Sequence, residues 1–438
     1  MNDTPPPANT PDAHRAGRPT KGALLIVWLV VFIDLLGFGI VLPVLPRQAK
    51  PYLDALGLYD LAAGAVIGVL FSVFSLMQFV FSPMWGRVSD RIGRRPVLLI
   101  SLLGSVAFYA LYGVAVSLPM EQAALALGLM LAARVGAGVA GASVGTAAAV
   151  IADCTPPEKR AKGMALIGIA FGAGFTLGPL IAYFGLAVFA QEPWGVGALA
   201  SALSLAALVI ALIVFKETRD PSNKAEKEFF SLARTREVLA MPTVGALVLI
   251  YFLAIFAFAN FEATLALLTR DALGMTADRD NFLVFAFVGA VLTFAGGAYR
   301  PFAKKGSEVG LLTFGVGAMI VGLALVGAVA FLAARPDARG AGYLKPLFYA
   351  AVSLSVVGFA FVNPSVSALV SKRSDPARQG EVLGVNQSFA SLGRILGPFL
   401  GSVLFQADPS RTLPYVAAVG VLLLVVARLP RIRGERPV

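Results

Sequence analysis

Charged residues, histidine and cysteine are scarce in this chain. Only 14% of its 438 residues are charged, whereas 58% are hydrophobic. This composition leaves too few polar side chains to cover the surface of a water-soluble protein of this length. The single cysteine, Cys154, excludes an intramolecular disulfide, and the single histidine, His14, excludes a metal site built from His and Cys. We therefore expect no redox centre, no metal and no bound cofactor.

Long apolar runs recur along the chain instead. A helix needs about 20 apolar residues to cross a hydrocarbon core of roughly 30 Å. The sequence predicts transmembrane helices at residues 23–46, 62–84, 96–117, 122–152, 163–188, 194–215, 243–268, 281–299, 309–334, 343–370, 382–405 and 412–428. The predicted fold class is an all-α membrane protein with twelve transmembrane helices.

Lysine and arginine are concentrated in alternate connections between these helices, on the side that carries both termini. By the positive-inside rule this side is cytoplasmic, which predicts a multi-pass protein of the cytoplasmic (inner) membrane. Residues 1–22 lack the apolar core and cleavage site of a signal peptide and are predicted to be a disordered cytoplasmic tail. Residues 429–438 form the second tail. The net charge of +11 therefore indicates topology rather than nucleic-acid binding.

The chain also repeats itself over half its length. The long polar stretch 216–242 predicts a cytoplasmic linker between two six-helix halves, 23–215 and 243–428. A shift of 219 residues aligns "GFTLGPLIA" with "GRILGPFLG". It matches residues suited to close packing and hinge motion: Gly174, Gly178 and Pro179 with Gly393, Gly397 and Pro398. Chance could supply one shared Gly-Pro, but flanking loop residues match at the same offset. We expect two pseudo-symmetric bundles around a central pathway, an arrangement typical of transporters.

Two charged residues of the first half fall inside predicted spans. Asp34 and Arg134 each lie about twelve residues, or about 18 Å, into a helix, near mid-depth. A charge there costs on the order of 2.5–3.5 kcal/mol, so the two residues are expected to pair. Desolvation opposes the charged carboxylate and a nearby arginine favours it, which is what proton coupling requires. The alternative is an inert ion pair between helices one and four.

Further polar residues inside the spans are candidates for a substrate cavity: Gln78, Asn260, Glu262, Asn386, Gln387 and Arg394. Gln78 could line the cavity or bond a neighbouring helix. Glu262 could titrate, bind a cationic substrate group, or reach the outer interface. Arg394 could hold an anionic substrate group or pair with Glu262 across the cavity.

The segment "WGRVSDRIGRR", residues 85–95, concentrates charge between two apolar spans. Gly86 would let the turn lie close under a neighbouring helix end. Asp90 is an anion suited to a helix N-terminus. Arg87, Arg91, Arg94 and Arg95 fix topology and could pair with acids at other helix ends. A solvated basic loop that only fixes topology is the alternative, which the tight spacing of this segment disfavours.

Together these motifs resemble the major facilitator superfamily, and more narrowly its drug:proton antiporter branch, which includes the tetracycline exporters. The matching segments are "DLLGFGIVLPVLP" (34–46), "LMQFVFSPMWGRVSDRIGRRPVLL" (76–99, motif A), "RVGAGVAGA" (134–142, motif B) and "GFTLGP" (174–179, motif C). The resemblance spans almost the whole chain. It implies Asp153 as the partner of Arg94, and a latch between the halves made of Gly86, Asp90, Arg91, Arg94, Arg95 and Asp153. With the cavity open outward, Asp90 is predicted to approach the start of helix eleven near Val382.

The chain departs from the tetracycline exporters at several positions. Phe108 stands where they carry an aspartate in helix three, and Ala165 and Ala182 replace glycines of the fuller motif C. Their membrane histidine and helix-nine acid are missing, and Arg394 is foreign to their pattern. These differences make tetracycline a poor candidate substrate and favour amphiphilic or anionic organic molecules.

The function predicted from the sequence is secondary active transport, not enzymatic catalysis: proton-coupled export of a small organic compound by alternating access, with the proton as the coupling ion. The alternative is a facilitator or proton symporter of an organic anion. A non-transporting receptor or membrane enzyme is the third hypothesis, and no nucleotide-binding glycine loop or soluble domain supports it. We expect a monomer whose partners are substrate, protons and the lipid bilayer, without nucleic acid.

Overall fold

The computed structural model describes residues 21–155, 160–189, 192–218, 232–338, 340–374 and 379–433. These residues form α-helices almost throughout: α1 Lys21–Val41, α2 Leu45–Ala55, α3 Asp60–Ile92, α4 Arg94–Val116, α5 Ala123–Ala140, α6 Val144–Cys154, α7 Arg160–Val188, α8 Gly195–Val214, α9 Leu232–Ala240, α10 Pro242–Asp271, α11 Asp278–Lys305, α12 Glu308–Ala334, α13 Leu344–Lys372, α14 Gln379–Ala407 and α15 Leu413–Arg433. Within the described ranges, nine helical stretches are each long and apolar enough to cross a membrane. Together with α1, α7 and α15 they account for the twelve predicted spans.

Two predicted spans are interrupted. The first is two helices, because α1 ends at Val41 and α2 begins at Leu45 after a turn that contains Pro43. Proline has no N–H to donate to the helical ladder, which explains the break. The predicted end at residue 46 was wrong, since α2 continues to Ala55. The fourth span contains a 3₁₀ turn at Gly141–Ser143 between α5 and α6.

The polar segments also contain more helix than predicted. Residues 85–92, interpreted from the sequence as a loop, form the last two turns of α3, which ends at Ile92. The linker 216–242 contains helix α9, in which Val238 is fully buried. The burial of this apolar side chain shows that α9 packs against other parts of the protein, whereas a fully solvated linker would bury no apolar side chain.

The two ends of the bundle differ in charge. We call the end that contains the α3–α4 turn, between Ile92 and Arg94, the basic end, and we call the end that contains α2 the opposite end. The N-terminal half comprises α1 to α8, and the C-terminal half comprises α10 to α15.

Glycine contacts reproduce the internal repeat in three dimensions. A Cβ added at Gly178 of α7 would lie 2.8 Å from the carbonyl carbon of Gly39 on α1. In the other half, a Cβ added at Gly397 of α14 would lie 2.6 Å from the carbonyl oxygen of Phe256 on α10. Each pair of helices can approach this closely only because the residue lacks a side chain. Helix α7 therefore packs on α1 as α14 packs on α10.

The other members of the two predicted hinge motifs occupy matching places. A Cβ added at Gly39 of α1 would lie 2.7 Å from the Gly174 carbonyl oxygen of α7, and a Cβ added at Gly393 of α14 would lie 2.9 Å from the Phe252 carbonyl oxygen of α10. Pro179 and Pro398 each lie inside their helix, α7 and α14. A proline inside a helix removes a backbone hydrogen bond and can bend the helix.

The halves meet along two matched helix pairs, α3 with α14 and α7 with α11. The Ser72 hydroxyl of α3 donates to the carbonyl oxygen of Ile395 on α14 at 2.5 Å. Thr176 of α7 donates to the Gly289 carbonyl oxygen of α11 at 2.9 Å and lies 2.9 Å from the Thr293 hydroxyl. These contacts join the two halves near the middle of the membrane-spanning helices.

Candidate functional site

Arg134 is a fully buried charged residue in the middle of the N-terminal half. It lies on α5 and is 2% exposed. Its Nε donates to the carbonyl oxygen of Leu70 on α3 at 3.1 Å, and its guanidinium lies 4.5 Å from the centre of the Phe74 ring. The backbone of α3 and the face of an aromatic ring therefore hold this charge in place.

Asp34, the predicted partner of Arg134, belongs to α1, and its side chain lies outside the described residues. The surroundings of the two positions are described. Arg134 lines a small cavity with Val41 of α1 and with Tyr109 of α4. The Tyr109 ring packs against Gly37, one turn along α1 from Asp34. The structure thus brings Arg134 near α1 at Val41, about two helical turns from Asp34, and the pairing of Arg134 with Asp34 stays a prediction.

Two polar residues of this region were not predicted from the sequence. The Tyr112 hydroxyl of α4 lines the same cavity and donates to Gln48 Oε1 on α2 at 2.6 Å. Gln48 in turn donates to the carbonyl oxygen of Pro193 at 3.1 Å. This chain of contacts runs from the cavity at Arg134 towards the opposite end. Only the fold reveals it, because the partners are 64 and 145 residues apart in sequence.

Gln78 makes the helix-to-helix contact that was one of its two predicted roles. Its Nε2 donates to the carbonyl oxygen of Gly141 at 3.1 Å. Gly141 begins the 3₁₀ turn between α5 and α6, where regular helical hydrogen bonds are interrupted. The amide therefore ties α3 to the backbone at the break in the fourth span.

The C-terminal half carries its own charged group at mid-depth. Arg394 of α14 is half-buried and lies near Glu262 and Tyr251 of α10. Its Nη2 lies 3.5 Å from the Ser391 hydroxyl. The Tyr251 hydroxyl donates to Asn363 Oδ1 on α13 at 2.7 Å. Tyr251 and Asn363 were missed by sequence reasoning, since a tyrosine in an apolar span carries no signal of its own.

The remaining predicted cavity residues are dispersed. Asn260 is fully buried in the packing between α10 and α14, where a Cβ at Gly401 would lie 2.9 Å from its Oδ1. Within the part of the chain that the structure describes, its amide has no hydrogen-bond partner. Asn386 is buried at 3% exposure, whereas its neighbour Gln387 is exposed. Asn260 thus faces the helix interface, whereas the sequence predicted that it lines a cavity.

Three of the predicted latch residues, Asp90, Arg94 and Asp153, form a compact cluster at the basic end. Arg94 lies 2.5 Å from the Asp90 carboxylate, and its Nε donates to Asp153 Oδ2 at 3.1 Å. Its Nη1 also donates to the Ser89 hydroxyl at 2.6 Å. Arg94 is 7% exposed, whereas the side chains of Asp90 and Asp153 are 32% and 26% exposed, so only the cation is removed from water. All of these partners belong to the N-terminal half, and the approach of Asp90 to Val382 in the outward-open state stays a prediction.

Glu217 completes this cluster and was not predicted. Its carboxylate accepts hydrogen bonds from the backbone N–H groups of Arg94 and Arg95, at 2.9 Å and 3.0 Å. These N–H groups begin α4, and a carboxylate there satisfies donors that lack helical partners. Gly93, with φ of 107°, makes the sharp turn between α3 and α4. The Arg95 side chain donates to the Leu212 carbonyl oxygen at 2.9 Å.

The close approach predicted for Gly86 is not seen among the described residues and stays a prediction. A Cβ at Gly86 would have no neighbouring atom within 4 Å among the described residues, so no helix end lies close above it. The close approach that needs a glycine occurs at Gly93, where a Cβ would collide with the Glu217 carboxylate. Arg91 is exposed on the last turn of α3.

Two pseudo-symmetric bundles of membrane-spanning helices, each with an arginine at mid-depth, define the class of secondary transporters. Within that class, the chain belongs to the Major Facilitator Superfamily, whose family model matches residues 27–398 and 314–438. It is a multi-pass integral membrane protein. The Major Facilitator Superfamily is a family of transporters.

Curated relatives match over nearly the full chain. The tetracycline resistance protein, class E, of Escherichia coli is 29% identical over 413 residues, covering 92% of this chain and 93% of the relative. Major facilitator superfamily domain-containing protein 10 of Bos taurus is 27% identical over 458 residues, covering 94% and 93%. Multidrug resistance protein 1 of Bacillus subtilis is 28% identical over 417 residues, covering 93% and 96%.

Solved structures share the fold. The human organic anion transporter MFSD10 (TETRAN) superposes with a TM-score of 0.66 at 24% identity, covering 93% of this chain and 99% of that one. A D-xylose-proton symporter superposes with a TM-score of 0.75 at 17% identity, covering 94% and 99%.

Proposed function

We propose that this transporter exports small organic compounds in exchange for protons, by alternating access between its two halves. The observation that carries the proposal is the fully buried Arg134 beside the helix of Asp34. A buried cation next to a carboxylate that can bind a proton gives a site whose charge depends on protonation. Opening and closing of the halves around such a site would couple proton movement to substrate movement.

We propose further that the basic end faces the cytoplasm, with both termini on that side of a cytoplasmic membrane. The support is the concentration of lysine and arginine in the connections at this end. Alkaline phosphatase and fluorescent-protein fusions at the connections would test this orientation. Cross-linking in membranes would test the expected monomer.

A flux assay in reconstituted vesicles tests the coupling. Under an imposed proton gradient, antiport predicts that ethidium or another organic dye moves against the direction of proton flow, whereas symport predicts movement with it. Asp34→Asn is expected to abolish the gradient-driven component. The matched control is Asp54→Asn, which changes an acid that pairs with Lys50 at 3.0 Å on α2. Gradient-driven flux that persists in Asp34→Asn would refute the coupling site.

Transport of organic anions is the second candidate, favoured by Arg394. This half-buried cation lies at mid-depth in the C-terminal half and would attract a carboxylate or sulfonate. The human relative is an organic anion transporter, which supports the same substrate class. Arg394→Gln should abolish fluorescein flux, whereas Arg394→Lys should retain part of it. Equal fluorescein flux in both variants and the parent would contradict this candidate.

A receptor that binds without transporting is separated from both candidates by flux itself. Such a protein would show ligand-dependent thermal stabilisation in detergent but no movement of any compound in vesicles.

A further inference from the structure

Arg47 of α2 is nearly as buried as Arg134, although it lies at the opposite end. Its side chain is 4% exposed. A buried arginine is costly unless its donors are satisfied, so its partners show what holds it there.

Those partners belong to the C-terminal half. Nε donates to the Ala266 carbonyl oxygen at 3.2 Å, and Nη2 donates to the Thr269 hydroxyl at 3.1 Å, both on the last turns of α10. The loop that follows α10 supplies three carbonyl oxygens. They belong to Met275 at 2.8 Å, Thr276 at 3.2 Å and Ala277 at 3.1 Å.

An acidic residue lies beside these hydrogen-bond acceptors. Asp278, the first residue of α11, lies 3.6 Å from Arg47 Nη1. At this distance the carboxylate contributes electrostatic attraction, while the carbonyl oxygens accept the hydrogen bonds. The planar fork of arginine can reach this many acceptors at once, which a lysine ammonium cannot do.

A second contact runs in the reverse direction, from the C-terminal to the N-terminal half. The Asn281 side chain of α11 donates to the carbonyl oxygen of Pro43 at 2.6 Å, in the turn between α1 and α2. Asn281 is fully buried. Its Oδ1 accepts from the Thr269 hydroxyl at 3.5 Å, so both contacts meet at Thr269.

We infer that Arg47 and Asn281 form a polar latch that closes the opposite end of the transporter and must open in every transport cycle. The inference requires alternating access and is independent of the substrate. Because the latch spans the halves, separating their ends at this side breaks all of its bonds together. Its removal should therefore shift the population towards the state that is open at the opposite end.

The chain offers a matched control at the same end. Arg411 donates to the Phe405 carbonyl oxygen at 2.8 Å and to Gln406 Oε1 at 3.2 Å, and it lies 3.7 Å from Asp271. All of these partners lie in its own half. Arg411→Gln therefore removes a smaller set of bonds at the same end, none of which crosses between the halves.

The test measures spin-label distances in the full-length protein with Cys154→Ser as background. One label pair, Leu56→Cys with Asp337→Cys, reports the opposite end. A second pair, Ile92→Cys with Lys304→Cys, reports the basic end. All four labelled positions are exposed, so the labels can be accommodated.

Arg47→Gln is expected to raise the fraction with a long opposite-end distance about tenfold, since several charge-assisted bonds are lost. Arg47→Lys should give a smaller rise, and Arg411→Gln should leave both distance distributions unchanged. Asn281→Ala provides a second arm if Arg47→Gln fails to fold, and it should shift the same distance in the same direction. Unchanged distances in the Arg47 and Asn281 variants, or an equal shift in Arg411→Gln, would overturn the inference. Because no substrate is needed, this failure is distinguishable from failure of the proposed export.

Discussion

The two ends of the bundle use buried arginines in different ways. At the opposite end, Arg47 of one half donates to backbone oxygens of the other half. At the basic end, Arg94 pairs with Asp90 and Asp153 of its own half. The same side chain therefore stabilises a contact between the halves in one place and the fold of a single half in the other.

This difference teaches what each end contributes. A contact within one half persists whether the halves open or close, so it affects stability in all conformations. A contact between the halves exists in one conformation only, so it affects the population of that conformation. Substitutions at the basic end should therefore lower stability, while those at contacts between the halves should shift the conformational equilibrium.

The largest stability loss is expected from Gly93→Ala. Its φ of 107° is strained for any side chain, and a Cβ would displace the Glu217 carboxylate from the start of α4. We expect a loss of about 2–3 kcal/mol, measured by thermal unfolding in detergent. The control is Gly86→Ala, where a Cβ would meet no described atom within 4 Å. Equal losses in the two variants would remove the distinction drawn between these glycines.

Arg94→Ala should have the next largest effect. It leaves Asp90 and Asp153 without their shared cation, and partial exposure of both acids limits the loss to about 1–2 kcal/mol. The spin-label distances at the opposite end should not change, because the side-chain partners named for Arg94 lie in the N-terminal half. A shift of those distances as large as that of Arg47→Gln would break the comparison between the two ends.

The smallest effect concerns a carboxylate at the opposite end that bonds within the C-terminal half. Burial raises the pKa of Asp408, but hydrogen bonds from the Ser410 hydroxyl and the amides of Thr412 and Leu413 outweigh it. The pKa therefore lies below its usual value. A lowered pKa adds stability above the unfolded value of about 3.9, and this stability is lost as the pH falls through the folded value.

Asp408→Asn should therefore lower the unfolding temperature at neutral pH by an amount corresponding to about 1 kcal/mol. The difference from the parent should stay constant between pH 8 and 5 and shrink below about pH 4. A difference that grows on acidification would have the wrong sign for a lowered pKa. Distances between the halves should match those of the parent throughout.

Local sequence pattern was sufficient to predict the span architecture. Runs of about 20 apolar residues identified the spans, and the Gly-Pro repeat at Gly178 and Gly397 identified the two halves. These features are set by bilayer thickness and by helix packing, which act on neighbouring residues. Pro43 explains the break between α1 and α2, but the break was not predicted, because the apolar pattern continues through Pro43.

The unpredicted parts depend on contacts distant in sequence. Arg47 lies just beyond the first predicted span, and nothing near it in sequence indicates acceptors 219 to 230 residues away. Glu217 likewise lies 123 residues from the helix start that it caps. In contrast, mid-depth charges such as Arg134 and Arg394 were identifiable, because burying a charge in the membrane is energetically costly and therefore indicates a functional or structural role.

The central claim of proton-coupled export is tested most directly by following protons during substrate flow. Vesicles loaded with substrate and the pH-sensitive dye pyranine are diluted into substrate-free buffer without an initial pH gradient. As substrate leaves, antiport predicts acidification of the vesicle interior in the parent and none in Asp34→Asn. Alkalinisation of the interior, or substrate efflux without any change in pH, would contradict the account.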